Sequence, residues 1–501
     1  MTSASICVTA IAVLVGLSAS GPLAQAIPPP SVDPARVPAD ARPEPEEPMR
    51  QSNVCARTTT VAEPDVTAIV PGFTMLNVSA AWQYSTGHGV PVAVIDTGIN
   101  PTGRLPVVAG GDYVMAGDGL TDCDAHGTIV ASVIAAAPQG IPMPAPMPAA
   151  PAFPAPTGPP PVNAGTPPIA DQPDEDPDAP APPPDATDGV VGVAPHAVVI
   201  SIRQSSRAYE PINPRLGDAE RHQKAGTVAT LAKAIVHAAD MGAKVINVSV
   251  ASCVSAADPL DQSSVGAAVW YAATVKDAVI VAAAGNEGED SCAQNPVFDP
   301  LDPSDPRDWH QVKTVSSPSW FADYVLSVGA VDNTGVAISK SLAGPWVAAA
   351  APGIGIMGLS PQTGAAVNGY PPVRPGEQTM PFWGTSFSAA YVSGVAALVR
   401  AKYPELSAHQ IINRILQTTH NPPRGVDNQV GHGVVDPVAA LTFDIPPGER
   451  IPPATRSRMV LPAAPPPAPD YRARTMALVF AGAVAAAVLV GSIVGRVRRA
   501  R

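Results

Sequence analysis

The chain has 501 residues, of which 46% are hydrophobic and only 14% charged, with 62 prolines and 41 glycines. That is apolar material for one large core or two ordinary ones with stiff, unpacked connectors, and it excludes a collagen, a coiled coil and a wholly disordered chain. A formal net charge of −12 excludes a non-specific nucleic-acid binder, which would carry a basic excess.

Residues 1–26 read as a secretory signal peptide. An apolar run from Ile6 to Leu17 precedes Ala24-Gln-Ala26, a small-residue cleavage site. No Lys or Arg precedes the run, so an uncleaved anchor is the competing reading; the run is short for a span. Residues 27–74 are rich in Pro and Glu and predict an extended N-terminal arm.

From residue 75 to 443 apolar strand-like runs alternate with helical spacing. Val92–Ile95 predicts a strand, and the runs 190–193 and 197–202 bracket another. Val228–Asp240 predicts a helix leading into a strand over 244–250. Residues 265–275 read as helix, and 278–282 and 324–330 as strands. Strands that alternate with helices predict crossover units, hence an α/β domain with a mostly parallel sheet covered on both faces. One stretch breaks the rhythm. Residues 141–190 hold 18 prolines, a density that removes donors and fixes φ, so 138–187 is expected to be a solvated insertion.

Beyond the domain, 444–474 is a Pro-rich linker. Residues 475–495 carry no charge, which is long enough to cross a bilayer as one helix. Arg496, Arg498, Arg499 and Arg501 follow in the tail 496–501, against Arg472 and Arg474 on the other side. The basic excess predicts a cytoplasmic tail and a single-pass protein whose bulk lies outside the cytoplasm. In that oxidising space Cys55, Cys123, Cys253 and Cys292 form an even set once Cys7 leaves with the signal peptide; three pairings are open.

Three segments carry chemistry. Val94-Ile-Asp-Thr-Gly98 sets an acid at the end of an apolar strand. Asp124-Ala-His-Gly-Thr128 sets a histidine at the head of a helical run. Gly384-Thr-Ser-Phe-Ser-Ala389 sets a serine at the head of a long small-residue helix. Singly, Asp96 reads as a turn or helix cap, His126 as a surface histidine and Ser386 as an N-cap. Together they read differently. Serine is a poor nucleophile without an adjacent base, histidine is that base, and a carboxylate must hold its tautomer. The order Asp, His, Ser is one of the known chain orders for this geometry. Asn286, in Ala283-Ala-Gly-Asn-Glu-Gly288, follows a strand where its amide can donate to an oxyanion; its plain alternative is turn formation.

The chain therefore resembles a subtilisin-like serine peptidase, a subtilase. The resemblance rests on Ala93-Val-Ile-Asp-Thr-Gly98, His126-Gly-Thr128 and Gly384-Thr-Ser386. Gly192-Val-Ala-Pro195, Val245-Ile-Asn247, Ala283-Ala-Gly-Asn286, Val328-Gly-Ala-Val-Asp332 and Ala350-Ala-Pro-Gly353 extend it. It implies a three-layer fold, a triad of Asp96, His126 and Ser386, and Asn286 as oxyanion donor. It further implies that Ser249, Val250 and Ala251 form a strand edge that pairs with substrate, opposite a wall of Ala283, Ala284 and Gly285. Ala251 stands where many relatives carry Gly, and Phe387-Ser-Ala-Ala-Tyr391 departs from the commoner run after the serine. No cofactor is expected and no metal: Asp299, Asp302, Asp305 and Asp308 lie among prolines and read as a solvated loop.

The signal peptide, arm, insertion, Pro-rich tether and terminal span together resemble the mycosins, membrane-anchored subtilases of mycobacterial type VII secretion. That resemblance implies disulfides Cys55–Cys123 and Cys253–Cys292, and a periplasmic catalytic domain. It implies secreted protein substrates, and partners in the type VII membrane complex that the protein stabilises. It leaves open a mainly structural role, as a cap or scaffold with dispensable proteolysis. The arm is too short and too Pro-rich for a compact inhibitory prosegment, so it is expected to wrap the domain and stay attached.

Overall fold

The computed structural model describes residues 30–147, 187–213, 225–257, 261–289, 292–297, 309, 312–372, 374, 378–422, 425–452 and 472–499. The signal segment 1–26, most of the insertion (148–186) and Asp299, Asp302, Asp305 and Asp308 lie outside them. The chain falls into two compact units, Met1–Pro452 and Pro453–Arg501.

In chain order the elements are β1 (Met49–Gln51), α1 (Pro71–Met75), α2 (Val78–Ala81), β2 (Pro91–Asp96), β3 (Val107–Asp112) and α3 (His126–Ala135). Then come β4 (Val198–Arg203), β5 (Tyr209–Pro211), α4 (Val228–Asp240), β6 (Val245–Val248), β7 (Ser252–Ser255) and α5 (Ser263–Trp270). They are followed by β8 (Val279–Ala283), β9 (Thr314–Ser317), β10 (Val325–Val331), β11 (Val347–Pro352), α6 (Thr385–Lys402), α7 (Ala408–Gln417), α8 (Pro437–Thr442) and α9 (Arg472–Arg499).

Seven strands form one sheet in the order β11-β10-β8-β6-β2-β4-β3, and every pairing in it is parallel. The sequence reason is plain in β2, β6, β8 and β10. They are apolar, mostly β-branched runs, and almost every residue is buried, as both faces of a parallel sheet demand. One face packs a core with α3 and α6, the other a core with α4 and α5. α4 begins at a capping box, Thr227 with Thr230. α6 is buried along its whole length except its last residue. Its small side chains let it lie against the sheet, and a Cβ at Gly394 would come within 2.5 Å of Val193. The sheet order reverses at β2: the chain goes out to β3 and β4 on one side, then to β6 on the other. Such a switch point opens a crevice at the carboxyl ends of the strands, and Asp96 is the last residue of β2.

Several expectations shift. The strand expected over 244–250 ends at Val248, where its partners Ile95 and Ala282 also end their pairing. Ser249, Val250 and Ala251 therefore continue beyond the sheet and are not themselves strand residues. Residues 190–193 form no strand; Val193 donates a backbone hydrogen bond to the Val133 carbonyl of α3, and Gly192 to that of Ala136 just beyond it. The helix expected to 275 turns into a π-helical stretch at Tyr271–Val275. β3 and β11 escaped the sequence reading because glycine and alanine, poor strand formers, dominate them.

The arm lies along the domain. β1 pairs antiparallel with β5, Asp40 meets His237 at 2.8 Å and Glu46 meets Lys233 at 3.2 Å. Asn368 donates to the Val61 and Pro64 carbonyls, and Cys55 is bonded to Cys123. The arm buries little apolar surface of its own, since most of its residues are exposed or half-buried. The disulfide closes a separation of 68 residues, so chain-entropy reasoning assigns it about 4 kcal/mol. Replacing Cys55 and Cys123 together by serine is expected to lower Tm by roughly 5 °C. An unchanged melting curve would mean the arm is held without the bridge. Cys253 is bonded to Cys292.

In the second unit, residues 472–499 form a single helix, α9. Part of its side chains lie outside the described residues, and among the described residues no helix is long and apolar enough to cross a membrane.

Candidate active site

The carboxyl ends of the central strands carry the candidate residues. Asp96 closes β2 and is fully buried. Its Oδ1 lies 2.7 Å from His126 Nδ1 and accepts the Thr97 N–H at 2.7 Å. Among the described residues its Oδ2 is buried without a hydrogen bond, and the imidazole is the side-chain partner of this carboxylate there. His126 opens α3 behind Ala125, which takes a left-handed φ of 62°. The turn brings α3 so near that a Cβ at Gly127 would sit 2.1 Å from the Gly98 carbonyl oxygen. Only glycine permits that approach, and with it the contact between Asp96 and His126.

The imidazole is 26% exposed, enough to leave one edge open to the cleft. Burial disfavours its charged form, but the charge and hydrogen bond of Asp96, with the charge of Asp122, outweigh it, and the His126 pKa is raised. Arg207 acts in the opposite sense.

Ser386 is the second residue of α6. Its hydroxyl donates to the Ser249 carbonyl oxygen at 2.8 Å, and Ser249 Oγ, with one proton to give, lies 2.8 Å from Asn247 Oδ1 and 3.0 Å from the Ser386 carbonyl oxygen. A hydroxyl has one proton, so the Ser386 proton faces Ser249 in this state and must turn to reach an imidazole. The next residue, Phe387, packs its ring 5.4 Å from the His126 ring, so the head of α6 lies near the histidine. The helix N-terminus aims its positive end at this point, while the Thr385 N–H is taken by Asn286 Oδ1 and the Phe387 N–H by the Gly384 carbonyl oxygen.

Asn286 lies beyond β8. Its Oδ1 accepts from the Thr385 N–H at 3.0 Å and from Thr385 Oγ1 at 3.1 Å. That fixes the amide plane and turns Nδ2 outward, where it donates to Glu289 Oε2 at 3.2 Å. Gly384, at φ 141°, passes so close that a Cβ would meet Asn286 Nδ2 at 3.2 Å. The Ser249 side of the cleft and the Ala283-Ala-Gly285 side both reach Thr385 and Ser386: Gly285 N–H donates to Thr385 Oγ1 at 3.1 Å.

One residue escaped the sequence reading. Asp122 is buried and accepts from Thr97 Oγ1 at 2.8 Å, Thr128 N–H at 2.8 Å and Thr128 Oγ1 at 2.7 Å. It ties the loop after β2 to the first turn of α3, so it sets the distance between Asp96 and His126. Burial pushes its carboxyl up to about 7 against those donors. The threonines flanking the motifs, at Thr97 and Thr128, were the available signal. Among the described residues, no group of three or more His, Cys, Asp or Glu could hold a metal ion.

Known proteins resemble this chain in sequence and fold. The Subtilase family matches residues 87–433. Mycosin-2 of Mycobacterium tuberculosis is 62% identical over 97% of this chain and 96% of its own length. The crystal structure of MycP1 from the ESX-1 type VII secretion system superposes with a TM-score of 0.72 at 40% identity, covering 85% of this chain and 99% of that one. A chain in the periplasmic assembly of the ESX-5 inner membrane complex is 50% identical with a TM-score of 0.71, covering 88% of this chain and all of its own.

Proposed function

The chain belongs to the subtilase family and, within it, to the mycosins, subtilisin-like serine endopeptidases of type VII secretion; from that premise we propose that it cleaves secreted proteins with a triad of Asp96, His126 and Ser386. His126 takes the Ser386 proton as the oxygen attacks a peptide carbonyl. Asp96 holds the imidazole's tautomer and stabilises its charged form. Asn286 Nδ2 and the Ser386 backbone N–H receive the oxyanion, and water then cleaves the acyl-enzyme. Ser249, Val250 and Ala251 on one side and Ala283, Ala284 and Gly285 on the other bind the substrate backbone. The observation that carries this reading is the 2.7 Å contact of His126 with a fully buried Asp96 beside a serine at a helix head.

The proposal extends to place. α9 has 28 residues, about 42 Å of helix, and the uncharged run 475–495 within it supports a single membrane span with Arg496 to Arg501 in the cytoplasm. The catalytic unit then faces the outer side, where both disulfides persist.

A second reading has its own support. A similar chain sits in the periplasmic assembly of the ESX-5 inner membrane complex, which supports a stabilising role in such a complex, beside cleavage or ahead of it. One comparison tests both. A fluorophosphonate is expected to label Ser386 in the folded protein, and cells carrying Ser386→Ala are expected to secrete unclipped substrates. Unlabelled Ser386 would sink the enzymatic reading. Full secretion with clipping abolished would make the scaffold the dominant role.

A further inference from the structure

We propose that Arg207 and Glu289 form a charge gate across the cleft, which selects polypeptides carrying a basic side chain close to the scissile bond. The inference rests on the reading of Ser386 as nucleophile and Asn286 as oxyanion donor.

The same carboxylate oxygen makes both contacts. Glu289 Oε2 accepts from Asn286 Nδ2 at 3.2 Å and lies 3.7 Å from Arg207 Nη2. Arg207 follows β4, on the His126 side, where its charge opposes protonation of the imidazole. Glu289 follows β8, on the oxyanion side. The ion pair therefore joins the two walls next to the reacting atoms.

Each wall is bolted by a disulfide. Asp124, next to Cys123, accepts the Arg207 N–H at 2.7 Å through Oδ1 and the Ser206 hydroxyl through Oδ2. Asn53 of the arm, two residues before Cys55, donates to the Arg207 carbonyl oxygen at 2.9 Å. The Cys55–Cys123 bond thus anchors the backbone under Arg207 from two sides. On the opposite wall the Cys292 N–H donates to the Glu289 carbonyl oxygen at 2.8 Å, and Gly288 N–H donates to the Cys292 carbonyl oxygen at 2.9 Å. Cys292 is in turn bonded to Cys253. The posts are fixed and the side chains between them are solvated, so the pair is weak enough for a substrate to break.

The charge logic sets the selection. The Asn286 amide carries two N–H groups, and Glu289 accepts one of them. The carboxylate charge beside that donor opposes the developing oxyanion, so Asn286 acts best when Glu289 is drawn away or neutralised. A lysine or arginine of the substrate gives Glu289 a new partner and draws it away. Because Glu289 touches the oxyanion donor itself and an extended chain advances about 3.3 Å per residue, that basic residue lies within roughly two positions of the scissile bond.

The test uses the full chain and peptides in which lysine or leucine is walked through two positions on either side of the cleaved bond. At its best position lysine is expected to raise kcat/KM about tenfold over leucine in the wild type, and Glu289→Gln is expected to erase that ratio. A neutral fluorophosphonate is expected to label Ser386 several-fold faster in Glu289→Gln, since the negative charge beside the oxyanion donor is then gone. Exchanging the charges, Arg207→Glu with Glu289→Arg, is expected to turn the preference to glutamate. An unchanged lysine-to-leucine ratio in Glu289→Gln, with Ser386 labelled normally, overturns the gate alone. Failure of Ser386 to label in every variant overturns the triad and the gate together.

Discussion

Replacing Ser386 by alanine is expected to lower kcat by about 10⁶-fold, the scale seen when a triad loses its nucleophile. The stability cost is small by comparison. The lost hydroxyl donates a single hydrogen bond, to the Ser249 carbonyl oxygen, worth about 1 kcal/mol. Melting curves of the variant and wild type should therefore lie close together while peptide cleavage collapses. Residual turnover of roughly 10³–10⁴ over the reaction in water is expected, because the oxyanion donors and the substrate walls remain. Adding His126→Ala to Ser386→Ala should cost almost nothing further, since the residues of a triad act as a unit. Two separate, multiplying losses would show that His126 and Ser386 do not work together. Turnover that survives Ser386→Ala would assign the nucleophile elsewhere.

Asp96→Asn is expected to lower kcat by about 10⁴-fold, although the amide nearly matches the carboxylate in size. Asp96 Oδ1 receives both the His126 ring and the Thr97 N–H, and among the described residues Oδ2 receives no hydrogen bond. The negative charge is therefore left to the imidazole, which becomes cationic as Ser386 gives up its proton. An amide removes that charge and can present an N–H to Nδ1, which drives the imidazole proton to the wrong nitrogen, facing the serine. The pH profile separates this from a packing defect. Activity needs neutral His126. In the wild type its raised pKa sets the acidic limb of kcat/KM above the ordinary histidine value of about 6.5. In Asp96→Asn the raising charge and hydrogen bond are gone and burial remains, so the limb moves to lower pH. A limb that stays in place would mean that Asp96 does not govern the His126 charge.

These two experiments also decide how far enzymology explains the protein. The arm, the tether and the run 475–495 serve no step of peptide hydrolysis. They fit a protein held at a membrane beside partners. Cleavage that is lost in Ser386→Ala with assembly intact would separate the two roles.

The chemistry of the site was legible in the chain because it is written in short contiguous segments. Asp96 ends a β-branched run, His126 and Ser386 each head a helix, and each must be flanked by glycine where backbones approach, at Gly98, Gly127 and Gly384. The repeating apolar runs likewise disclosed a parallel sheet, since burial on both faces removes polar alternation. Strands made of alanine and glycine, β3 and β11, were illegible because their pairing comes from neighbours and not from propensity. Only the folded chain decided what lies between distant segments. It placed Asp122 as the tie between Thr97 and Thr128, turned the Ser386 hydroxyl to Ser249, and set Glu289 on Asn286 facing Arg207. Those contacts join residues whose separation along the chain carries no local pattern, so they are fixed by the sheet order and the two disulfides rather than by any motif.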